Sequence, residues 1–222
     1  MKGLTKNTEK IFEAVSLLDC IKDYTLIGGT AISLQIGKRV SEDLDFCKWS
    51  TNLKKDKPTV DWPQIKKELE KIGKIDKLDV LGFDQVNFVI DNVKISFLTK
   101  QENLSPVKTH VPILNNIKAA DLDSLGSMKV ELVLRRCNFR DYYDIYSLLK
   151  EGLSLKTIVE GAATYSNHTL KTRDALSFLS NGSNYKKGKD FDLLNPFYDL
   201  TNKTIEDLIK SIIKKEYPLI IP

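Results

Sequence analysis

The chain is poor in the residues that would staple it or anchor it elsewhere. Three cysteines, Cys20, Cys47 and Cys137, are odd in number, far apart and never in a CxxC pair. That pattern argues against a disulfide framework and fits a reducing compartment. Histidine is scarcer still: His110 and His168 alone are too few for a zinc site. The opening MKGLTKNTEK has no apolar signal core, and no stretch approaches the length of a membrane span. The expectation is a cytoplasmic protein with no membrane partner. No internal repeat is present.

What the chain does contain is an ordinary globular balance. Apolar residues make up 41% and charged residues 29% of 222 residues, enough for a full core in one domain or two packed halves. A net charge of +4 permits a nucleic-acid partner without demanding one.

Hydrophobic spacing predicts a helix over Leu4–Leu18 capped by Asn7 or Thr8, a strand over Tyr24–Ile27, and a helix over Ala31–Gln35 stopped by Gly37. Leu44 and Phe46 alternate with Asp43 and Asp45 as in a strand. Lys54–Pro63 is a polar loop and Gln64–Ile72 a helix. Phe83–Ile90 and Val93–Leu98 form a hairpin about Asp91-Asn92. After Pro106 and Pro112 the pattern becomes helical. One helix is lined by Leu125, Met128 and Leu132 and capped by Asp123 or Ser124, and another begins at Asn138. Further helices are expected over Leu153–Tyr165, Leu170–Leu179 and Thr204–Glu216, the last with a Thr204/Asp207 cap pattern. Asn181–Asp190 reads as a mobile basic loop. The fold class is therefore α+β: an α+β N-terminal half followed by a helical C-terminal half, joined near Ser105–Asn115.

Two features carry chemistry. Gly28-Gly29-Thr30 joins a strand to a helix, so backbone N–H groups at the positive end of that helix are offered to a phosphate. The glycines leave room for close approach, and Thr30 can cap the helix or bond a phosphate oxygen. The turn is neither a Walker loop nor a Rossmann fingerprint. Asp43 and Asp45, two apart on a strand, project from one face with Cβ atoms roughly 6–7 Å apart. Bringing the carboxylates to ~4 Å costs roughly 1–4 kcal/mol at effective dielectrics of 80 to 20, which a divalent ion offsets. Mg²⁺ suits such a pair, because it leaves its other positions to water and phosphates.

Gly28-Gly29-Thr30-Ala31, then Gly37-Lys38-Arg39, then Ser41-Glu42-Asp43-Leu44-Asp45-Phe46 resembles the GGTA…GxRxSxDLDF opening of the AbiEii/AbiGii-type nucleotidyltransferases. That family lies in the DNA polymerase β-like superfamily, and several of its members are toxins of toxin–antitoxin or abortive-infection systems. Met128-Lys129 through Arg136, then Arg140-Asp141-Tyr142-Tyr143-Asp144, is similar to the family's lysine helix and D-x-x-D helix. The matches bracket roughly residues 24–150.

The resemblance implies a polymerase-β-like nucleotidyltransferase core, a mixed sheet with helices, over residues 1–110 and a helical domain over 111–222 that completes the active site. It implies an NTP on Gly28, Gly29 and Thr30, with Arg39, Ser41 and Arg136 as further nucleotide contacts. Catalytic Mg²⁺ would be held by Asp43 and Asp45, with Lys129, Asp144 and Asp141 as further catalytic residues. The implied partners are an acceptor, RNA or tRNA 3′ end or protein hydroxyl, and an antitoxin.

Residue spacing adds that Lys129 and Arg136 share a helical face, as do Asp141 and Asp144. One aspartate could orient Lys129 or act as a base; alternatively, Asp141 is an N3 cap behind Asn138 and Arg140–Asp144 an i,i+4 pair. Tyr142, Tyr143 and Tyr146 read as packing residues. The superfamily's usual third carboxylate is replaced by Ser96, which puts two-metal chemistry in question. Lys38 stands where members often carry histidine.

Overall fold

The computed structural model describes residues 2–50, 58–133, 135–166 and 169–218. His168 and the part of the expected Lys54–Pro63 loop before Pro58 lie outside the described residues. The chain divides into two units, Met1–Asp121 and Leu122–Pro222.

Among the described residues the first unit is built on a seven-stranded mixed sheet. Its helices are α1 (Lys6–Ser16), α2 (Gly28–Ile36) and α3 (Trp62–Leu69). Its strands are β1 (Thr25–Ile27), β2 (Leu44–Ser50), β3 (Ile75–Val80), β4 (Gln85–Ile90), β5 (Val93–Gln101), β6 (His110–Leu114) and β7 (Ile117–Ala120). The strand order is β3-β4-β5-β2-β1-β7-β6. β2 and β5 run parallel, as do β1 and β7, while the other neighbours are antiparallel.

Strand alternation sets the core. Val86, Phe88 and Ile90 are buried while Gln85, Asn87 and Val89 are half-exposed, the period-2 pattern of a strand with one covered face. Phe97 gathers the aromatic centre, stacked on Phe46 at 5.5 Å and edge-on to Tyr24 at 5.2 Å and Phe88 at 6.0 Å. Asp91 and Asn92, with φ of 50° and 62°, make the tight turn between β4 and β5. Two left-handed residues are what a two-residue hairpin of matching twist requires.

Several elements differ from expectation. β3 was not anticipated, because IDKLDV carries three charges; it is an edge strand, where such charges are tolerated. The segment after Pro112 is a hairpin, not a helix, so β6 and β7 remain with the sheet. Pro112 is accommodated because β6 is the opposite edge, where a strand can lack an N–H. Asn115 turns the chain with φ of 47°. Helix α1 is capped by Thr5, whose hydroxyl accepts from Thr8 N; the Thr8 hydroxyl donates instead to the Glu42 carbonyl at 2.7 Å.

The second unit holds five helices among its described residues: α4 (Leu122–Val133), α5 (Phe139–Lys150), α6 (Leu155–Tyr165), α7 (Thr172–Leu179) and α8 (Asn202–Glu216). Asn138 caps α5 by accepting from Arg140 N at 2.9 Å. Helix α8 starts a few residues before the expected Thr204, capped by Thr201, which accepts from Thr204 N at 3.2 Å. Asn181–Asp190 is not a loose loop. Tyr185 is buried and stacked on Tyr142 with centroids 3.8 Å apart. The Lys186 backbone bonds Cys137 and Phe139, and the Lys187 ammonium lies over the Phe139 and Phe191 rings.

Candidate functional site

The glycine turn lies directly against one of the two aspartates. β1 ends at Ile27, whose register partner on β2 is Asp45. Gly28 follows with φ of +73°, and a Cβ there would come within 2.8 Å of Asp45 Oδ2. Backbone conformation and contact therefore both demand glycine. A Cβ on Gly29 would strike the Arg39 guanidinium and lie 3.3 Å from the Ser41 hydroxyl. Gly28 and Gly29 open α2, so their N–H groups belong to the unsatisfied first turn, at its positive end.

Arg39 and Ser41 are both buried; Arg39 Nη1 donates to the Val40 carbonyl at 2.9 Å. The backbone between them and the aspartates is held by the N-terminal segment. Ser41 N donates to Gly3 O at 3.0 Å, and Thr5 N donates to Ser41 O at 3.1 Å. Thr30 corrects its assigned role. Its hydroxyl is buried and donates to the Asp43 carbonyl, and it sits inside α2 after the Ile27 cap position. Thr30 thus neither caps the helix nor reaches outward; it secures the backbone of Asp43.

Leu44 and Phe46 are fully buried, which turns the flanking aspartates to the other face. Asp43 precedes β2, its side chain is 38% exposed, and its Oδ2 lies 3.3 Å from Lys94 Nζ. Among the described residues no group of three His, Cys, Asp or Glu side chains converges as a metal centre. The donor set is two hard carboxylates, one of them paired with a half-exposed lysine. That set fits one Mg²⁺ that keeps water and phosphate in its remaining positions. Ser96 is the register partner of Asp45 on β5 and of Asn87 on β4, so the three share a row across the sheet. Asn87 Oδ1 is buried and, among the described residues, has no hydrogen-bond partner.

Sequence reading passed over Lys94 and Asn87. The signal for Lys94 was present: it stands two residues before Ser96, hence on the same strand face. Asn87 had no such signal, because its place in the row depends on the β4–β5 register.

In the helical unit, the Lys129 ammonium lies between two carboxylates. Its Nζ is 2.6 Å from Asp141 Oδ1 and 2.7 Å from Asp144 Oδ2, with all three side chains buried. Arg136 grips Asp141 as a fork, Nε to Oδ2 at 2.8 Å and Nη2 to Oδ1 at 3.2 Å. Burial would raise the Asp141 carboxyl, but Lys129 and Arg136 outweigh it and hold its pKa below the ordinary value.

Two expectations change here. Arg136 does not share a helical face with Lys129: it lies in the α4–α5 connection, past Val133, and its N–H donates to Leu132 O at 3.1 Å. Lys129 is enclosed by carboxylates, whereas the Arg136 side chain is 56% exposed. Tyr142, Tyr143 and Tyr146 are buried packing residues, as expected.

A mixed sheet whose glycine turn feeds a helix and whose next strand carries two aspartates, succeeded by a helical unit, has the α+β architecture of a nucleotidyltransferase. The family model described as the AbiEii nucleotidyl transferase toxin of a Type IV toxin–antitoxin system matches residues 11–208. The chain belongs to that family. It is also 30% identical over 161 residues to an uncharacterized protein of Aquifex aeolicus (strain VF5), covering 71% of this chain and 73% of that one. Among the described residues no helix is long and apolar enough to cross a membrane.

Proposed function

We propose that the protein is a Mg²⁺-dependent nucleotidyltransferase that moves a nucleoside monophosphate from an NTP to an acceptor hydroxyl, on an RNA or tRNA 3′ end or on a protein. In its biological setting it acts as a toxin restrained by an antitoxin. The observation that carries this reading is the closeness of the Asp45 carboxylate to Gly28, where a Cβ would meet Oδ2 at 2.8 Å, which sets a phosphate-binding helix end beside a metal-binding oxygen.

The N–H groups that open α2 bind the triphosphate, and Gly29 leaves the approach clear. Arg39 and Ser41, stacked over Gly29, add charge and a hydroxyl to the same turn. Asp43 and Asp45 hold the metal, and Thr30 keeps the Asp43 backbone in register with the turn. The ion supplies neutralisation of triphosphate charge and polarisation of the reacting phosphorus. The acceptor oxygen attacks the α-phosphorus, the bond to pyrophosphate breaks, and the hydroxyl proton passes to solvent water.

In the helical unit Lys129 is the cation assigned to substrate charge, and Asp141 and Asp144 orient its ammonium. Asp141 is a positioning residue rather than the base, because its lowered pKa and its two cationic partners make it a poor proton acceptor. Arg136, exposed beside it, is a further nucleotide contact.

Ser96 favours a second reading, in which the chain binds nucleotide or RNA without transfer, since the next two places in the row from Asp45 hold the neutral Ser96 and Asn87. Purified protein incubated with Mg²⁺, total RNA and each of the four labelled NTPs separates the two. Transfer predicts label on RNA or on protein, abolished in Asp45→Asn while circular dichroism shows the fold retained. Absence of label with all four nucleotides sinks the transferase reading in favour of the binder.

A further inference from the structure

Lys94 stands beside the two aspartates and is a cation that the reaction outlined above does not use. Leu44 pairs with Ile95 in the parallel β2–β5 register, which brings Lys94 beside Asp43 just as Ser96 stands beside Asp45. Lys94 and Ser96 are two apart on β5 and share a face. Among the described residues Asp43 is the ion-pair partner of Lys94, with Nζ 3.3 Å from Oδ2. Both side chains are about two-fifths exposed, at 43% and 38%. A pair this wet contributes little to stability and yields readily to a stronger cation.

We propose that Lys94 is a substrate-binding cation that occupies the Asp43 carboxylate until a divalent ion takes it, and then turns to the triphosphate. The inference rests on the nucleotidyltransferase reading and adds a residue to it.

Charge explains why a lysine belongs here. Three carboxylates holding two divalent ions leave one net positive charge to face the nucleotide. Two carboxylates, one divalent ion and one lysine leave the same single charge. Ser96 removes the carboxylate that a second ion would need, and Lys94, one pleat away on the same strand, supplies the missing positive charge in covalent form. Its flexible four-carbon stem lets the ammonium leave Asp43 for a phosphate oxygen without backbone movement. Lys94 thereby acts in opposite directions on the two ligands. It competes with the bare ion for Asp43, and it helps hold the ion together with the nucleotide.

Calorimetric titration of the full chain tests this, first with MgCl₂ alone and then with Mg²⁺ plus the non-hydrolysable α,β-methylene analogues of the four NTPs. Lys94→Gln is expected to tighten Mg²⁺ binding by about two- to fivefold, the range for one half-exposed charge. The same variant weakens binding of the Mg²⁺–nucleotide analogue by about tenfold, the loss of one charge-assisted phosphate contact. Lys94→Arg restores the nucleotide constant. Constants that stay unchanged in Lys94→Gln, or that move in the same direction, overturn the proposal, since a merely structural pair predicts no split. Asp45→Asn separates this from the wider reading. If it loses the Mg²⁺ heat while Lys94→Gln shows no split, Lys94 is dismissed and the metal site stands. If wild type binds neither Mg²⁺ nor nucleotide, both fall.

Discussion

Gly28 answers to two demands at once, and they are of different kinds. Its φ of +73° is a backbone demand, and the Asp45 oxygen 2.8 Å from where a Cβ would stand is a steric one. Gly28→Ala is therefore expected to destabilise the first unit by about 1–3 kcal/mol, and to weaken nucleotide binding more than that loss explains, because the methyl displaces Asp45. Urea denaturation alongside nucleotide titration checks both, and an alanine variant with wild-type stability and affinity would contradict the geometry. Much at this scale was legible in the chain, since residue type and spacing alone mark glycine turn and aspartate pair. The role of Thr30 was not. A hydroxyl beside a phosphate turn reads as a ligand, and only the fold brings the Asp43 carbonyl within its reach. An aspartate orienting Lys129 was legible from the shared face of Asp141 and Asp144, whereas the closing of both carboxylates on its ammonium depends on how the helices pack.

Elements whose stability is local were legible, and those that depend on a neighbour were not. The β4–β5 hairpin announces itself through alternation and the Asp91-Asn92 turn, whose geometry is a property of those two residues. β3 and β6 carry charges or proline and form strands only because each has one neighbour to pair with and an open outer edge. The 181–190 segment has the composition of a solvated loop, yet Tyr185 anchors it through the Tyr142 ring. Burial of both rings also pushes their hydroxyl pKa values up. Tyr185→Ala should cost about 3–5 kcal/mol, as for other buried aromatic truncations. It should also open the backbone bonds at Lys186, so that trypsin cuts at Lys186, Lys187 or Lys189 under native conditions. A segment as protease-resistant as wild type would show that Tyr185 does not anchor it.

At the scale of the whole molecule, the charge clusters of the helical unit set its response to acid. Asp141 has a folded-state pKa below its ordinary 3.8, so the stability it contributes is present above that value and lost as pH falls through the depressed one. Glu206 behaves likewise: Lys210 and the Gly182 N–H hold its pKa down to about 2, against an ordinary 4.5. The helical unit should therefore keep its tertiary structure below the ordinary carboxyl range and lose it as the pH falls further. Arg136→Gln should raise the midpoint of that loss by relieving Asp141 of one cation; a midpoint that stays put would refute the assignment.

That experiment has a built-in colour code. Both tryptophans, Trp49 and Trp62, lie in the sheet unit, while seven of the eight tyrosines, from Tyr142 to Tyr217, lie in the helical one. Indole emission excited at the red edge of the absorption band thus reports on the sheet alone. The near-ultraviolet dichroism of the stacked Tyr142 and Tyr185 rings reports on the helices. With no label attached, two optical channels follow the two halves of one chain in the same cuvette, and whether they melt together or apart is read from the wavelength.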